Sequence, residues 1–150
     1  MTTKGANRMD DKQIIALMKQ TPIFFRLNDA SLKSVLKSAI QKKSLAGTKI
    51  VEEGKGGVGF YLILEGKAEV IREGEKLAEL GVGNFFGELS VIDGAPRTAD
   101  VVAMIDTNCI IITQWAMKSL IENHPEIAQG MLEELVRRLR ATDEALHASD

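Results

Sequence analysis

One segment of the 150-residue chain combines residue types suited to holding a phosphate group: residues 83–99, with the sequence GNFFGELSVIDGAPRTA. Phe86 is typical of a strand end, and Gly87 would let the backbone turn sharply after it. A single short helix beginning at Glu88 would then direct unpaired backbone amides outward, as an anion site requires. Arg97 would add a fork of hydrogen-bond donors. The segment therefore predicts a cradle for one phosphate.

Glu88 indicates which kind of phosphate compound would bind. A carboxylate repels a phosphate, so its presence in the cradle implies that it binds another group of the ligand. A sugar hydroxyl that donates a hydrogen bond to the carboxylate is such a group. The alternative, on spacing alone, is a surface turn that is closed by a salt bridge between Glu88 and Arg97.

Catalytic and metal sites are not expected. Both histidines, His124 and His147, lie in the predicted C-terminal helical zone, whereas a metal-dependent jelly-roll enzyme normally needs two or three histidine ligands on its strands. Cys109 lies within a strand-like run, which predicts a buried structural thiol rather than a nucleophile. An enzyme acting on a small sugar phosphate is a remote alternative, because the strand-rich zone offers no plausible base other than Glu88.

The composition is that of one cytoplasmic globular domain, with 45% hydrophobic and 27% charged residues and a single cysteine. No stretch approaches the ~20 apolar residues of a membrane span, and the N-terminus lacks the apolar core of a signal peptide. The net charge of −2 divides into +7 over residues 1–50, −5 over 51–100 and −4 over 101–150. Because the basic residues are dispersed, they predict a solvated surface rather than a site for nucleic acid.

Three zones of secondary structure are predicted along the chain: helices over residues 9–42, strands over 43–114 and helices over 115–148. Asp10 or Asp11 would cap the first helix and Asn28 or Asp29 the second. Turn signals spaced by roughly 8–12 residues favour an antiparallel sandwich or barrel. The second helix would present one apolar face, made of Leu32, Val35, Leu36 and Ile40. Four runs have the length and composition of strands: 60–64, 68–71, 101–105 and 110–112.

The C-terminal zone is predicted to contain two helices that are separated at His124-Pro125. The second helix carries residues spaced 4, 3, 4, 3 and 4 apart, which is the pattern of a coiled-coil seam. An amphipathic helix that packs on the barrel of its own chain would show a similar pattern, so both interpretations stay open. The seam consists of Ala128, Leu132, Leu135, Leu139, Thr142 and Leu146.

Two stretches, Phe86-Gly-Glu-Leu-Ser90 and Pro96-Arg-Thr-Ala99, resemble the phosphate-binding cassette of the cyclic nucleotide-binding domain family. The resemblance covers almost the whole chain. It implies one domain over residues 1–150, mainly β with flanking helices. The expected core is an antiparallel β-roll of the jelly-roll-like, double-stranded β-helix type. N-terminal helices, a short cassette helix, and C-terminal hinge and lid helices would surround it.

The resemblance also implies roles for single residues. Glu88 would bind the ribose 2′-hydroxyl, and Arg97 would pair with the cyclic phosphate. Thr142 falls where the bacterial catabolite activators place a threonine against adenine. The remaining expected ligand contacts are Phe86, Gly87, Leu89, Ser90, Thr98 and Ala99, with the backbone amides of Leu89, Ser90 and Ala99 and the Thr98 hydroxyl directed to the phosphate.

The function implied is reversible binding of a cyclic nucleotide without chemistry on it and without a prosthetic group. Cyclic AMP is favoured, although Thr98 keeps cyclic GMP open. Binding would draw the lid helix over the base, with pivots near His124-Pro125 and Gly130. The expected partners are a second copy of the chain and an unidentified effector, with no DNA-binding domain in these residues and no membrane. The alternative is a degenerate domain that binds nothing and serves as an assembly module.

Overall fold

Two four-stranded antiparallel sheets form the centre of the computed structural model, which describes residues 8–54, 59–87 and 99–148. The described parts of the chain contain four helices and eight strands. In chain order these are α1 (Asp11–Met18), α2 (Asp29–Lys37), β1 (Ala39–Ser44), β2 (Lys49–Val51), β3 (Gly59–Glu65), β4 (Ala68–Arg72), β5 (Glu75–Leu80), β6 (Phe85–Phe86), β7 (Asp100–Ala103), β8 (Thr107–Thr113), α3 (Gln114–Asn123) and α4 (Pro125–Ala148).

The strand order is β1-β8-β3-β6 in the first sheet and β2-β7-β4-β5 in the second, and every neighbouring pair is antiparallel. The predicted antiparallel β architecture with flanking helices is thereby confirmed. All four predicted strand runs are found, but β7 ends at Ala103, so the run predicted over 101–105 was too long.

The side chains of β3 point alternately to the two faces of the first sheet and so contribute to two separate core clusters. Phe60 and Leu62 pair with Ile112 and Ile110 of β8 and face the helices, which cover this side of the first sheet. Ile63 lies on the opposite face, in a second cluster between the two sheets. Successive strand residues point to opposite faces, so an apolar run such as residues 60–64 of β3 must be covered on both sides. The helices and the second sheet provide these two covers.

The N-terminal helices begin where the sequence predicts. Asp10 caps α1: its carboxylate accepts a hydrogen bond from the Gln13 backbone amide, and the Gln13 side chain accepts one from the Asp10 backbone amide. Asn28 caps α2 through the Ser31 amide. The end of the helical zone was predicted wrongly, because α2 stops at Lys37 and Ile40 lies on β1 opposite Ile111, 63% exposed. Pairing of β1 with β8 overrides the helical spacing that Ile40 shares with Leu36.

The C-terminal helices are separated as predicted. Thr113 caps α3, and Met117 and Leu120 bury its inner face. His124 interrupts the helical path with φ −136° and ψ 79°, and α4 begins at the next residue. The first turns of α4 are anchored in the core by Ile127 and Met131, which are 0% and 3% exposed.

Gly130 is required for the close approach of α4 to the N-terminal segment. A Cβ at this position would lie 2.4 Å from the Pro22 carbonyl oxygen and 2.8 Å from the Ile23 Cα. We expect Gly130→Ala to destabilise the fold by about 1–2 kcal/mol net, because the overpacking penalty exceeds the gain in helix propensity. Thermal unfolding followed by circular dichroism measures this effect.

Gly81→Ala is the matched control, since no atom lies within 4 Å of a Cβ built there. It should leave the melting temperature unchanged or slightly higher. Equal melting temperatures for Gly130→Ala and the parent chain would contradict the assigned close packing.

Candidate functional site

The chain enters the predicted phosphate segment from β6. Phe85 and Phe86 pair with Leu62 and Tyr61 of β3, and the Phe86 ring stacks on the Tyr61 ring with centroids 4.8 Å apart. Gly87 follows with φ +87°, a left-handed conformation that costs a residue with a side chain more than it costs glycine. The predicted strand end and the sharp glycine turn are therefore confirmed.

The chain leaves the same segment at Ala99, which directly precedes β7. β6 is an edge strand of the first sheet, whereas β7 lies inside the second sheet between β2 and β4. Gly87 and Ala99 thus mark the points where the segment joins two different sheets. Glu88, Leu89, Ser90, Arg97 and Thr98 lie outside the described residues, and so does the side chain of Thr142 on α4. Their predicted roles stay predictions.

Sequence reasoning missed Arg138, which connects α4 to the entry strand. Its Nη2 donates a hydrogen bond to the Phe85 carbonyl oxygen at 3.2 Å, and its guanidinium lies 4.5 Å from the centre of the Phe85 ring. Glu134, one turn earlier on α4, accepts a hydrogen bond from Arg138 Nε at 3.2 Å. The spacing of four between Glu134 and Arg138 was visible in the sequence, but the contact with β6 depends on how α4 packs.

A second connection fixes the first half of α4. Nη2 of Arg26, in the loop before α2, lies 2.8 Å from both carboxylate oxygens of Glu133. The Arg26 guanidinium lowers the pKa of Glu133 below its usual value by donating to the ionised carboxylate. Together with Gly130, this ion pair holds α4 against the N-terminal segment.

Cys109 is the buried structural thiol that the sequence predicts. It is 2% exposed, and burial raises the pKa of its thiol to about 12, so the nucleophilic thiolate is not formed at neutral pH. Among the described residues, no three histidine, cysteine, aspartate or glutamate side chains are grouped to hold a metal ion.

A search of the helices in the described ranges finds none that is long and apolar enough to span a membrane.

Comparison with known proteins agrees with the cassette resemblance. Residues 41–124 match the family described as cyclic nucleotide-binding domain. The cAMP-dependent protein kinase regulatory subunit of Yarrowia lipolytica is 37% identical over 102 residues, covering 66% of this chain and 27% of the relative. A cGMP-dependent protein kinase of Toxoplasma gondii is 29% identical over 136 residues, covering 90% of this chain and 13% of the relative.

Among solved structures, the catabolite activator protein of Thermus thermophilus superposes with a TM-score of 0.78 at 31% identity, covering 85% of this chain and 62% of the other. The likeness confirms the expected β-roll with flanking helices. This chain thus corresponds to a minor part of the two kinase-related proteins and to about three fifths of the activator. Since the family match spans more than half of its residues, the chain belongs to the cyclic nucleotide-binding domain family.

Proposed function

We propose that this domain is a sensor of cyclic AMP whose ligand occupancy is passed on to α4, without chemistry on the nucleotide. The observation that carries the proposal is the left-handed turn at Gly87, with φ +87°, at the start of the cassette-like sequence. This sequence connects β6 of the first sheet with β7 of the second. The direct test is titration of the purified chain with cyclic AMP.

The proposed ligand shell is the one that the cassette sequence implies. Glu88 accepts the ribose 2′-hydroxyl, Arg97 pairs with the cyclic phosphate, and Thr142 contacts adenine. Phe86 and Gly87 set the entry of the loop, and the phosphate is completed by the backbone amides of Leu89, Ser90 and Ala99 with the Thr98 hydroxyl.

Cyclic AMP is preferred over cyclic GMP in this proposal. The relatives named for cAMP are 28–37% identical to the chain, and those named for cGMP are 26–29% identical. Thr98 supports the second candidate, because family members with threonine at this place often favour guanine. Competition between the two nucleotides for one site separates the candidates.

The coupling to α4 is supported by the Arg138 contact. Phe85 lies two residues before Gly87, so a ligand-induced shift of β6 would change the hydrogen bond between the Phe85 carbonyl and Arg138. Arg26 and the packing at Gly130 hold the first half of α4, so a movement of α4 about the proposed pivot at His124-Pro125 has to release these contacts.

We expect Arg138→Ala to reduce the response of α4 to ligand more than it reduces affinity. Removing a partly buried charged hydrogen bond costs about 1.5 kcal/mol, which is a large part of the ~1–3 kcal/mol of coupling typical of allosteric domains. Hydrogen exchange of α4 amides, with and without cyclic AMP, measures the response. Arg137→Ala is the matched control, because Arg137 pairs with the same Glu134. An unchanged α4 response in Arg138→Ala would contradict this route.

The same helix supports the proposal that two copies of the chain form a parallel dimer. Leu132 and Leu139, two members of the predicted seam, are 63% and 69% exposed, so they do not pack on the barrel of their own chain. Exposed leucines at heptad spacing favour a second helix as the cover. Sedimentation at several concentrations tests this, and a monomer at all concentrations, with and without cyclic AMP, would refute the dimer.

A further inference from the structure

The first residue after the phosphate segment is Asp100, and its carboxylate holds the end of β2. Oδ1 accepts a hydrogen bond from the Glu53 amide at 2.7 Å, and Oδ2 lies 3.3 Å from Nζ of Lys49. Lys49 is the first residue of β2, and Glu53 lies two residues after its last, Val51. The Asp100 carboxylate therefore contacts the chain at both ends of this short strand. The Asp100 side chain is 19% exposed and is therefore largely enclosed by these contacts.

A second carboxylate continues the chain of contacts. Oε1 of Glu53 accepts a hydrogen bond from the Glu73 amide at 3.2 Å. Glu73 has φ 51° in the tight turn between β4 and β5, a conformation that residues with side chains seldom adopt. Asp100, Glu53 and Glu73 thereby connect three separate segments: the exit of the phosphate segment, the end of β2 and the β4–β5 turn.

The backbone pairing of β2 with β7 is irregular close to Asp100. Lys49 lies opposite Val102 and Val51 opposite Val101, so the pairing of β2 with β7 shifts between the two positions. Such a shift locally disrupts the backbone ladder near the start of β7. The side chain of Asp100 supplies a contact with β2 at the place where that ladder is broken.

We propose that Asp100 is a positioning residue of the ligand site: by binding the Glu53 amide and Lys49, its carboxylate fixes the neighbouring Ala99, whose backbone amide is the proposed phosphate ligand. The inference rests on the proposed function for its effect on binding, but the fixing itself is a property of the free chain. Asp100 is assigned no contact with the ligand. The Glu53 amide, and after it Lys49, lower the pKa of Asp100, so the carboxylate stays ionised at neutral pH.

The test compares Asp100→Ala, Asp100→Asn and Asp106→Ala. Asp106, beyond the other end of β7, is the matched control because its carboxylate makes the same two kinds of contact. Its Oδ1 accepts a hydrogen bond from the Ala46 amide at 2.9 Å, and its Oδ2 lies 4.0 Å from Nζ of Lys43. Asp100→Ala should weaken cyclic AMP binding by about tenfold, since the lost contact is a hydrogen bond to a charged group. Asp100→Asn keeps an acceptor for the Glu53 amide and should stay within about threefold of the parent. Asp106→Ala should bind as the parent does.

Hydrogen exchange in the ligand-free chain provides the second readout. Asp100→Ala should speed exchange at Glu53 and at residues 99–102, whereas Asp106→Ala should not. Parental affinity in Asp100→Ala, or equal losses in Asp100→Ala and Asp106→Ala, would overturn the positioning role. If the parent chain binds no cyclic nucleotide, the proposed function fails and exchange alone decides: faster exchange in Asp100→Ala supports the fixing of Ala99, and unchanged exchange overturns it.

Discussion

Arg97→Leu should lose most of the affinity of the chain for cyclic AMP, with a cost of about 2–5 kcal/mol in binding free energy. The guanidinium is the proposed partner of the cyclic phosphate, and leucine leaves a desolvated anion with backbone amides alone. Folding should be unaffected, because the phosphate partner is absent from the free protein. Isothermal titration for binding and thermal unfolding for stability measure the two effects separately.

Arg140→Leu is the charge-matched control, since Arg140 is an exposed residue of α4. It should bind cyclic AMP like the parent chain. If Arg97→Leu also binds like the parent, the assignment of residues 83–99 as a phosphate cassette is wrong.

Glu88→Ala should weaken binding of cyclic AMP but have little effect on binding of its 2′-deoxy analogue. The lost contact is a charged hydrogen bond to the ribose 2′-hydroxyl, which contributes about 1.5–3 kcal/mol. The analogue lacks this hydroxyl, so its binding free energy does not depend on the contact that Glu88→Ala removes. Titration of both ligands against the parent and the variant gives the four affinities needed.

Glu122→Ala, at an exposed position of α3, is the control for the loss of one negative charge. It should leave all affinities unchanged. Equal losses of cyclic AMP and of the 2′-deoxy analogue in Glu88→Ala would mean that Glu88 orders the loop and does not bind the sugar.

The strands were predictable because their signals are local. The run 60–64 is apolar throughout and bounded by glycines, as a strand covered on both faces must be, and it forms β3. The failure at Ile40 has a different origin. Its spacing from Leu36 suits a helix, but its conformation is decided by pairing with β8, seventy residues further along the chain, and periodicity contains no such information.

The candidate site also combines features that local sequence predicts with features that depend on tertiary packing. The turn at Gly87 was predictable from its residue type, and the cassette sequence identified the family. Arg138 and Asp100 were not predictable, because an arginine on a helix and an aspartate at a strand start are ordinary surface residues in a sequence. Only the packing of α4 on β6 and of β7 beside β2 brings their charges to backbone groups that flank the segment.

Isothermal titration calorimetry of the purified chain with cyclic AMP, cyclic GMP, AMP and cyclic dinucleotides tests the central claim most directly. We expect saturable binding of one cyclic AMP per chain at micromolar affinity, or about 8 kcal/mol, with weaker binding of cyclic GMP. AMP and the cyclic dinucleotides should not bind at the same concentrations. The absence of saturable binding by either cyclic mononucleotide would contradict the account and favour a non-binding assembly module.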